Sequence, residues 1–142
     1  MGKGRILVVE DDTDISNMLR IYFASQGYEV VVAGRGGEAL ERCRQQLPHV
    51  IVLDIMLPDI DGYEVCIQLR TNLRTSHIPI IFLTQKDERS DRIRGLETGA
   101  DDYVTKPFDI EELRLRVQNA QRRAERESLT NPTTGLPSGK LI

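Results

Sequence analysis

Hydrophobic residues occur along this chain in two arrangements that alternate. In short runs they are nearly unbroken; in longer stretches they recur every three or four positions. The runs at 5–9, 29–33, 50–53, 78–83 and 103–104 predict five strands. The run at 50–53 is wholly apolar, as expected of a strand covered on both faces. After Asp14, residues Ile15, Met18, Leu19, Tyr22 and Phe23 follow helical spacing, and Gly27 supplies the stop. Gly36 and Gly37 open a second helix with Leu40, Cys43 and Leu47 on its inner face. Pro58 and Gly62 bound a loop, followed by a helix expected to bury Cys66, Leu69 and Leu73. A very polar helix is expected at 91–97. The last helix starts near Asp109, a suitable N-cap, and carries Ile110, Leu113, Val117, Ala120 and Ala124. Five strand–helix repeats with short links predict an α/β fold, with a parallel sheet covered on both faces and right-handed connections. Sites in such sheets form at the carboxyl ends of the strands.

The strand ends are chemically unusual. Glu10 and Asp11 follow the first strand and Asp54 follows the third, so neighbouring strands would bring three carboxylates into one hollow. Like charges about 4 Å apart repel by roughly 4 kcal/mol at an effective dielectric near 20. Such a cluster either keeps a proton or holds a cation. Its hard oxygen ligands suit Mg²⁺, which keeps several waters and favours one or two carboxylates plus phosphate oxygens. Asp12 and Asp14, beside the first helix, read as caps or solvated acids. Thr84 closes the fourth strand with a hydroxyl, and Lys106 follows the fifth with an ammonium group. Alone, each is an ordinary strand or surface residue. Beside the acids they complete a set able to answer a phosphoryl group on Asp54, which would bring a charge near −2 and three acceptor oxygens. The Lys106–Pro107 bond is a candidate cis peptide that would aim Lys106 inward.

The chain has 142 residues, 39% hydrophobic and 29% charged, with a net charge of −3. That suits one compact domain with a short tail, and it gives no global attraction to nucleic acid or an anionic membrane. No apolar run approaches the roughly 20 residues of a spanning helix. The opening apolar stretch is a short strand followed at once by acids, not a signal peptide. Cys43 and Cys66 lie in separate helical patterns without metal-type spacing and read as reduced thiols. A cytoplasmic location is expected.

These residues resemble the receiver domains of two-component response regulators. The likeness runs from Arg5 to about Arg122. It is carried by ILVVEDD at 6–12, VLDIMLPDIDGYE at 52–64, IIFLT at 80–84 and GLETGADDYVTKPFDIEEL at 95–113. The resemblance implies a flavodoxin-like sheet of order 2-1-3-4-5 with Asp54 as phosphoacceptor. It implies Asp11 as a direct Mg²⁺ ligand, Glu10 acting mostly through water, and the Met56 backbone carbonyl as a further ligand. Thr84 would be the switch hydroxyl, Lys106 its ion-pairing partner, and Tyr103 the aromatic whose rotamer follows the switch. The donor would be a sensor histidine kinase, a phosphotransfer protein or a small phosphodonor such as acetyl phosphate. The domain is expected to be regulatory, with phosphotransfer and autodephosphorylation as its own chemistry. One departure stands out. The residue after Thr84 is usually small in this family, and here it is Gln85.

Arg92, Asp101, Asp102, Glu112 and Arg116 resemble the charged set through which winged-helix regulators dimerise. That surface is formed by the polar helix at 91–97, the last strand and the last helix. Glu88 replaces a basic member of the set, and a solvated charged face is the plain alternative. A homodimer formed on phosphorylation is the expectation. Residues 1–122 would form the receiver and 123–142 a linker helix plus the start of an output domain. The stretch from Asn131 to Ile142 partly resembles the opening of GGDEF domains, with Asn131, Thr133, Ser138 and Gly139 as departures. An attached output domain, possible GGDEF character and no direct nucleic-acid or membrane binding by this chain follow as expectations.

Two other function classes fit less well. A phosphatase of the haloacid dehalogenase type places its nucleophile after the first strand in a D-x-D-x-[TV] pattern. Here Glu10 and Asp14 break that pattern at its ends, and there is no bulk for a cap. A nucleotide- or flavin-binding fold places a Gly- or Ser/Thr-rich loop after the first strand, where this chain has acids.

Overall fold

The computed structural model describes residues 2–85, 93–94 and 97–130, excepting the side chains of 128–130. In chain order the elements are β1 (Gly4–Val9), α1 (Thr13–Ser25), β2 (Tyr28–Ala33), α2 (Gly36–Gln45), β3 (Val50–Asp54), α3 (Gly62–Thr71), β4 (Ile80–Thr84), β5 (Asp102–Thr105) and α4 (Ile110–Thr130). The five strands form one parallel sheet of order β2-β1-β3-β4-β5, the flavodoxin-like arrangement expected from the sequence.

Alternate side chains of each strand supply two separate cores. Leu7, Val9, Ile51, Leu53, Ile80 and Phe82 pack against Cys43, Tyr63, Val65, Cys66 and Leu69 of α2 and α3. Ile6, Val8, Val52, Ile81, Leu83 and Val104 pack against Leu19 and Phe23 of α1 and Leu113, Val117 and Ala120 of α4. All of β3 is buried because both its faces are covered, which is why its sequence is apolar up to Asp54. Each fully buried aliphatic side chain contributes about 1.5–3 kcal/mol over its exposed state.

Several boundaries differ from the sequence reading. Asp54 is the last residue of β3, not the first beyond it, and Ile78 precedes β4, which Thr84 closes as expected. The buried line of α1 runs through Ser16, Leu19 and Phe23, leaving Met18 45% exposed. One position is about 100° of helix rotation, so helical spacing alone does not say which of two adjacent stripes meets the sheet. Leu73 is 90% exposed, not buried. The helix stops at Thr71 and the Asn72 N–H bonds back to the Leu69 carbonyl at 3.4 Å, so the periodicity ends before Leu73. Leu40 and Leu47 sit half-buried at the edge of the core, and Ala39 and Cys43 form the deeply buried line of α2.

The helix starts are capped in two ways. Asp12 accepts from the N–H groups of Asp14 and Ile15 at 2.9 and 3.2 Å, and Asp61 accepts from Glu64 at 2.9 Å. Both are local N-caps. At α2 the capping position is Arg35, whose side chain makes no cap bond. The acceptor comes instead from the β3–α3 loop, where Asp59 takes the N–H groups of Gly36 and Gly37 at 2.8 and 2.9 Å. Asp109 accepts from the Glu111 N–H at 2.8 Å at the start of α4.

Candidate functional site

Because β1 lies between β2 and β3, the residues that end β1 and β3 emerge side by side. Glu10 prolongs the β1–β2 pairing by one step, its N–H donating to the Ala33 carbonyl at 3.0 Å. Glu10 is almost wholly buried, as are Asp54 and the hydroxyl-bearing Thr84. Asp11 is exposed at the rim. Ligand oxygens of Glu10, Asp11 and Asp54 lie within 4.8 Å of one another.

Lys106 closes the other side. β5 pairs with β4, Thr84 opposite Thr105, and the Lys106 N–H then donates to the Thr84 carbonyl at 2.6 Å. The Lys106–Pro107 peptide is cis. Lys106 Nζ donates to Glu10 Oε1 at 2.7 Å and to Asp54 Oδ2 at 3.2 Å. The remaining oxygens also have donors: Glu10 Oε2 takes the Asp12 N–H at 3.1 Å, and Asp54 Oδ1 takes the Met56 N–H at 3.2 Å.

Burial pushes the Glu10 carboxyl up to about 7, partly countered by the Lys106 hydrogen bond and reinforced by Asp54. Burial also acts against the Lys106 ammonium, but its hydrogen bond to Glu10 and the charges of Asp54 and Glu10 outweigh that and raise it. The cluster thus has more negative charge than one lysine neutralises. Its donors are hard carboxylate oxygens, with one acid at the solvent rim, so its residues fit a small oxygen-seeking divalent cation.

The other expected site residues are placed as follows. Thr84 lies at the end of β4, next to Leu83, which pairs with Asp54 of β3. Tyr103 is half-buried on β5 and packs against the α2–α3 core. Met56 sits two residues beyond Asp54 with its side chain in solvent. Gln85 is exposed directly after β4.

The charged face is paired within the chain. Arg116 Nη1 bonds both Asp102 oxygens at 3.0 and 2.9 Å, and its Nη2 bonds Glu112 at 3.1 Å. Asp101 turns away from them and accepts from Arg70 at 2.9 Å and from the Ile80 N–H at 2.8 Å. Arg92, Glu88 and the tail at 131–142 lie outside the described residues. Sequence reasoning missed two exposed apolar residues, Ile93 and, on α4, Leu115. Leu115 follows helical spacing with Glu112 and Asn119, a signal the sequence did contain. It also missed Asp59 and Arg70. Arg70 donates to the carbonyls of Gly99 and Ile78 at 2.8 and 2.7 Å as well as to Asp101. No helix among the described residues is long and apolar enough to cross a membrane.

Comparison with known proteins gives a consistent result. The family described as response regulator receiver domain matches residues 6–118. A probable transcriptional regulator, ycf27, of Pyropia yezoensis is 46% identical over 138 residues, covering 96% of this chain and 56% of the relative. The phosphate regulon transcriptional regulatory protein PhoB of Rhizobium meliloti is 47% identical over 126 residues, covering 89% of this chain and 56% of the relative. The chain therefore spans about half the length of the curated relatives it matches. A putative response regulator from Chloroflexus aurantiacus superposes with a TM-score of 0.81 at 40% identity, covering 84% of this chain and 98% of that one.

Proposed function

The chain belongs to the response regulator receiver domain family, and from that premise we propose that it is a phosphorylation switch with Asp54 as phosphoacceptor and Mg²⁺ as cofactor. The observation that carries this reading is the convergence of Asp54 with Glu10, Asp11 and Lys106 at the carboxyl ends of β3, β1 and β5. Asp11, Asp54 and the Met56 carbonyl would hold the ion directly and Glu10 mostly through water. Bound Mg²⁺ supplies the positive charge that offsets the incoming phosphoryl group.

The rest is the work of the chain's own residues. An Asp54 carboxylate oxygen attacks the phosphorus of a phosphohistidine on a sensor kinase or phosphotransfer protein. The new O–P bond forms as the N–P bond breaks, and the histidine nitrogen leaves with the pair of electrons. Acetyl phosphate would serve the same way, with acetate leaving. Lys106, now beside Asp54 Oδ2, pairs with a phosphoryl oxygen, and the Thr84 hydroxyl donates to another. Positioning and charge neutralisation are most of what phosphoryl transfer requires. Water later attacks the phosphorus of the acyl phosphate; the bond from Asp54 oxygen to phosphorus breaks, inorganic phosphate leaves and Asp54 returns to a free carboxylate. The Thr84 hydrogen bond, with Tyr103 following it, biases an existing equilibrium between surface states.

The surface affected includes Asp101, Asp102, Glu112 and Arg116, together with Arg92, and its readout is dimerisation or an attached output domain. Residues 1–122 form the receiver in this reading, and 123–142 lead into the output. The relatives are named as transcriptional regulators, which favours a transcription-controlling output in the parent protein. The likeness of 131–142 to the start of a GGDEF domain favours a cyclase-like one. Sequencing the parent gene beyond codon 142 decides between the two.

The test of the switch is intact mass and size exclusion after incubation with Mg²⁺ and acetyl phosphate, beside Asp54→Asn. One phosphate adduct that needs both Mg²⁺ and Asp54 is expected, with a shift towards dimer. An adduct that persists in Asp54→Asn, or none even with beryllofluoride as a phosphoryl mimic, would overturn the assignment.

A further inference from the structure

We propose that Asp59 is a positioning residue for the Mg²⁺ site: its carboxylate clamps the loop carrying Met56 to the first turn of α2. The proposal rests on the Mg²⁺-assisted switch above and concerns how its loop ligand is held.

The loop leaves β3 at Asp54 and enters α3 at Gly62. Its base is closed tightly. The Gly62 N–H donates to the Ile55 carbonyl at 2.7 Å, and a Cβ on Gly62 would collide with the Asp54 carbonyl. Its far side reaches α2. There both Asp59 oxygens take backbone N–H groups, those of Gly36 and Gly37, while Ile60 packs so closely that a Cβ on Gly36 would lie 2.5 Å from its Cγ1. Gly36 and Gly37 stand 23 and 22 residues from Asp59, so this is a tertiary contact and not a local turn. Two charge-assisted bonds at a helix N-terminus are strong for an exposed side chain. The Gly37 and Gly36 N–H groups hold the Asp59 carboxyl down to about 2, so the clamp stays ionised at any physiological pH. Met56 sits between the closed base and this clamp, three residues from Asp59.

Mg²⁺ is exacting about such a ligand. It demands near-ideal octahedral geometry at about 2.0–2.1 Å, whereas Ca²⁺ accepts looser sites with longer bonds. Releasing the loop should therefore cost Mg²⁺ more than Ca²⁺. Losing the Asp59 charge as a mere distant attraction would weaken both ions alike, and 0.5 M salt would screen that part.

The experiment measures Mg²⁺ and Ca²⁺ dissociation constants by titration calorimetry on the full chain, well below the melting temperature. It compares the native protein with Asp59→Ala, Asp59→Asn and Asp54→Asn at low salt and in 0.5 M salt. Asp59→Ala is expected to weaken Mg²⁺ about tenfold but Ca²⁺ by about threefold or less, at both salt concentrations. Asp59→Asn keeps one acceptor oxygen and should fall between. It also serves as the deciding variant should Asp59→Ala fold poorly. Unchanged Mg²⁺ affinity, or equal losses for both ions, overturns the clamp while leaving the switch intact. Native protein that binds no Mg²⁺, or binds it as well in Asp54→Asn, overturns the switch reading and the clamp with it.

Discussion

Two clusters, each of one cation and two acids, lie on the sheet and its last helix, one buried and the other open to solvent on one side. Lys106 with Glu10 and Asp54 is buried, its side chains between 1% and 10% exposed. Arg116 with Asp102 and Glu112 has similar distances and an exposed setting. The difference is in what solvent leaves for the protein to do. Water stabilises each exposed charge separately, so pairing adds little and partners exchange at little cost. In the buried cluster, charge lost from one group must be answered by another group, a proton or an ion. The exposed arrangement suits a surface that trades partners, and the buried one suits a site that waits for charge to arrive.

Replacing the buried cation should break this contrast most sharply. Lys106→Met leaves two acids without their partner and is expected to lower stability by about 3 kcal/mol in metal-free protein. Urea denaturation should show the loss, and adding Mg²⁺ should recover part of it. A change no larger than that of a surface pair would mean that solvent reaches the cluster.

The proton is the second lever. The Glu10 carboxyl, ordinarily near 4.5, is raised to about 7 in the folded chain by burial. Above 4.5 the folded state keeps a proton that the unfolded chain has released. Metal-free stability should therefore fall as pH rises from about 4.5 to about 7 and then level off. In that same window Mg²⁺ binding should release a proton. Denaturation midpoints across pH in the presence of a chelator check the sign, and Glu10→Gln should flatten the slope.

The exposed cluster should answer far more weakly. Arg116→Ala is expected to cost less than about 1 kcal/mol in the monomer, while reducing the phosphorylation-dependent shift to dimer. Thermal melts and size exclusion separate the two effects. The smallest stability change is expected at Gln85→Ala, because Gln85 is exposed and follows β4 directly. Its effect should appear in the rate at which the phosphorylated protein forms or decays, followed by intact mass. Identical time courses for variant and native protein would remove Gln85 from the site.

Much of this is legible in the sequence. The unbroken apolar run before Asp54 marked a strand buried on both faces, and burial on both faces is what a central parallel strand requires. Acids after β1 and at the end of β3, with a lysine after β5, then followed from the rule that sites gather at carboxyl ends. Local caps such as Asp12 were readable for the same reason, since cap and helix are contiguous in the chain.

Other features depended on pairings between distant segments. Helical spacing admitted two adjacent stripes on α1, and only docking against the sheet selected Ser16, Leu19 and Phe23 over Met18. Leu73 continued the α3 pattern, but the backbone had already turned. Asp59 sits in an ordinary turn-rich segment, and nothing local marks it as the cap of a helix more than twenty residues earlier. Likewise the charged residues of the last strand and helix showed their type, while their partners were set by the fold: Asp101 with Arg70, Asp102 with Arg116. Periodicity and strand-end chemistry are properties of neighbours in sequence and survive in one dimension. The rotation of a helix, the end of a helix and the partner of a charge are set by what approaches through space, and those were decided only when the sheet closed.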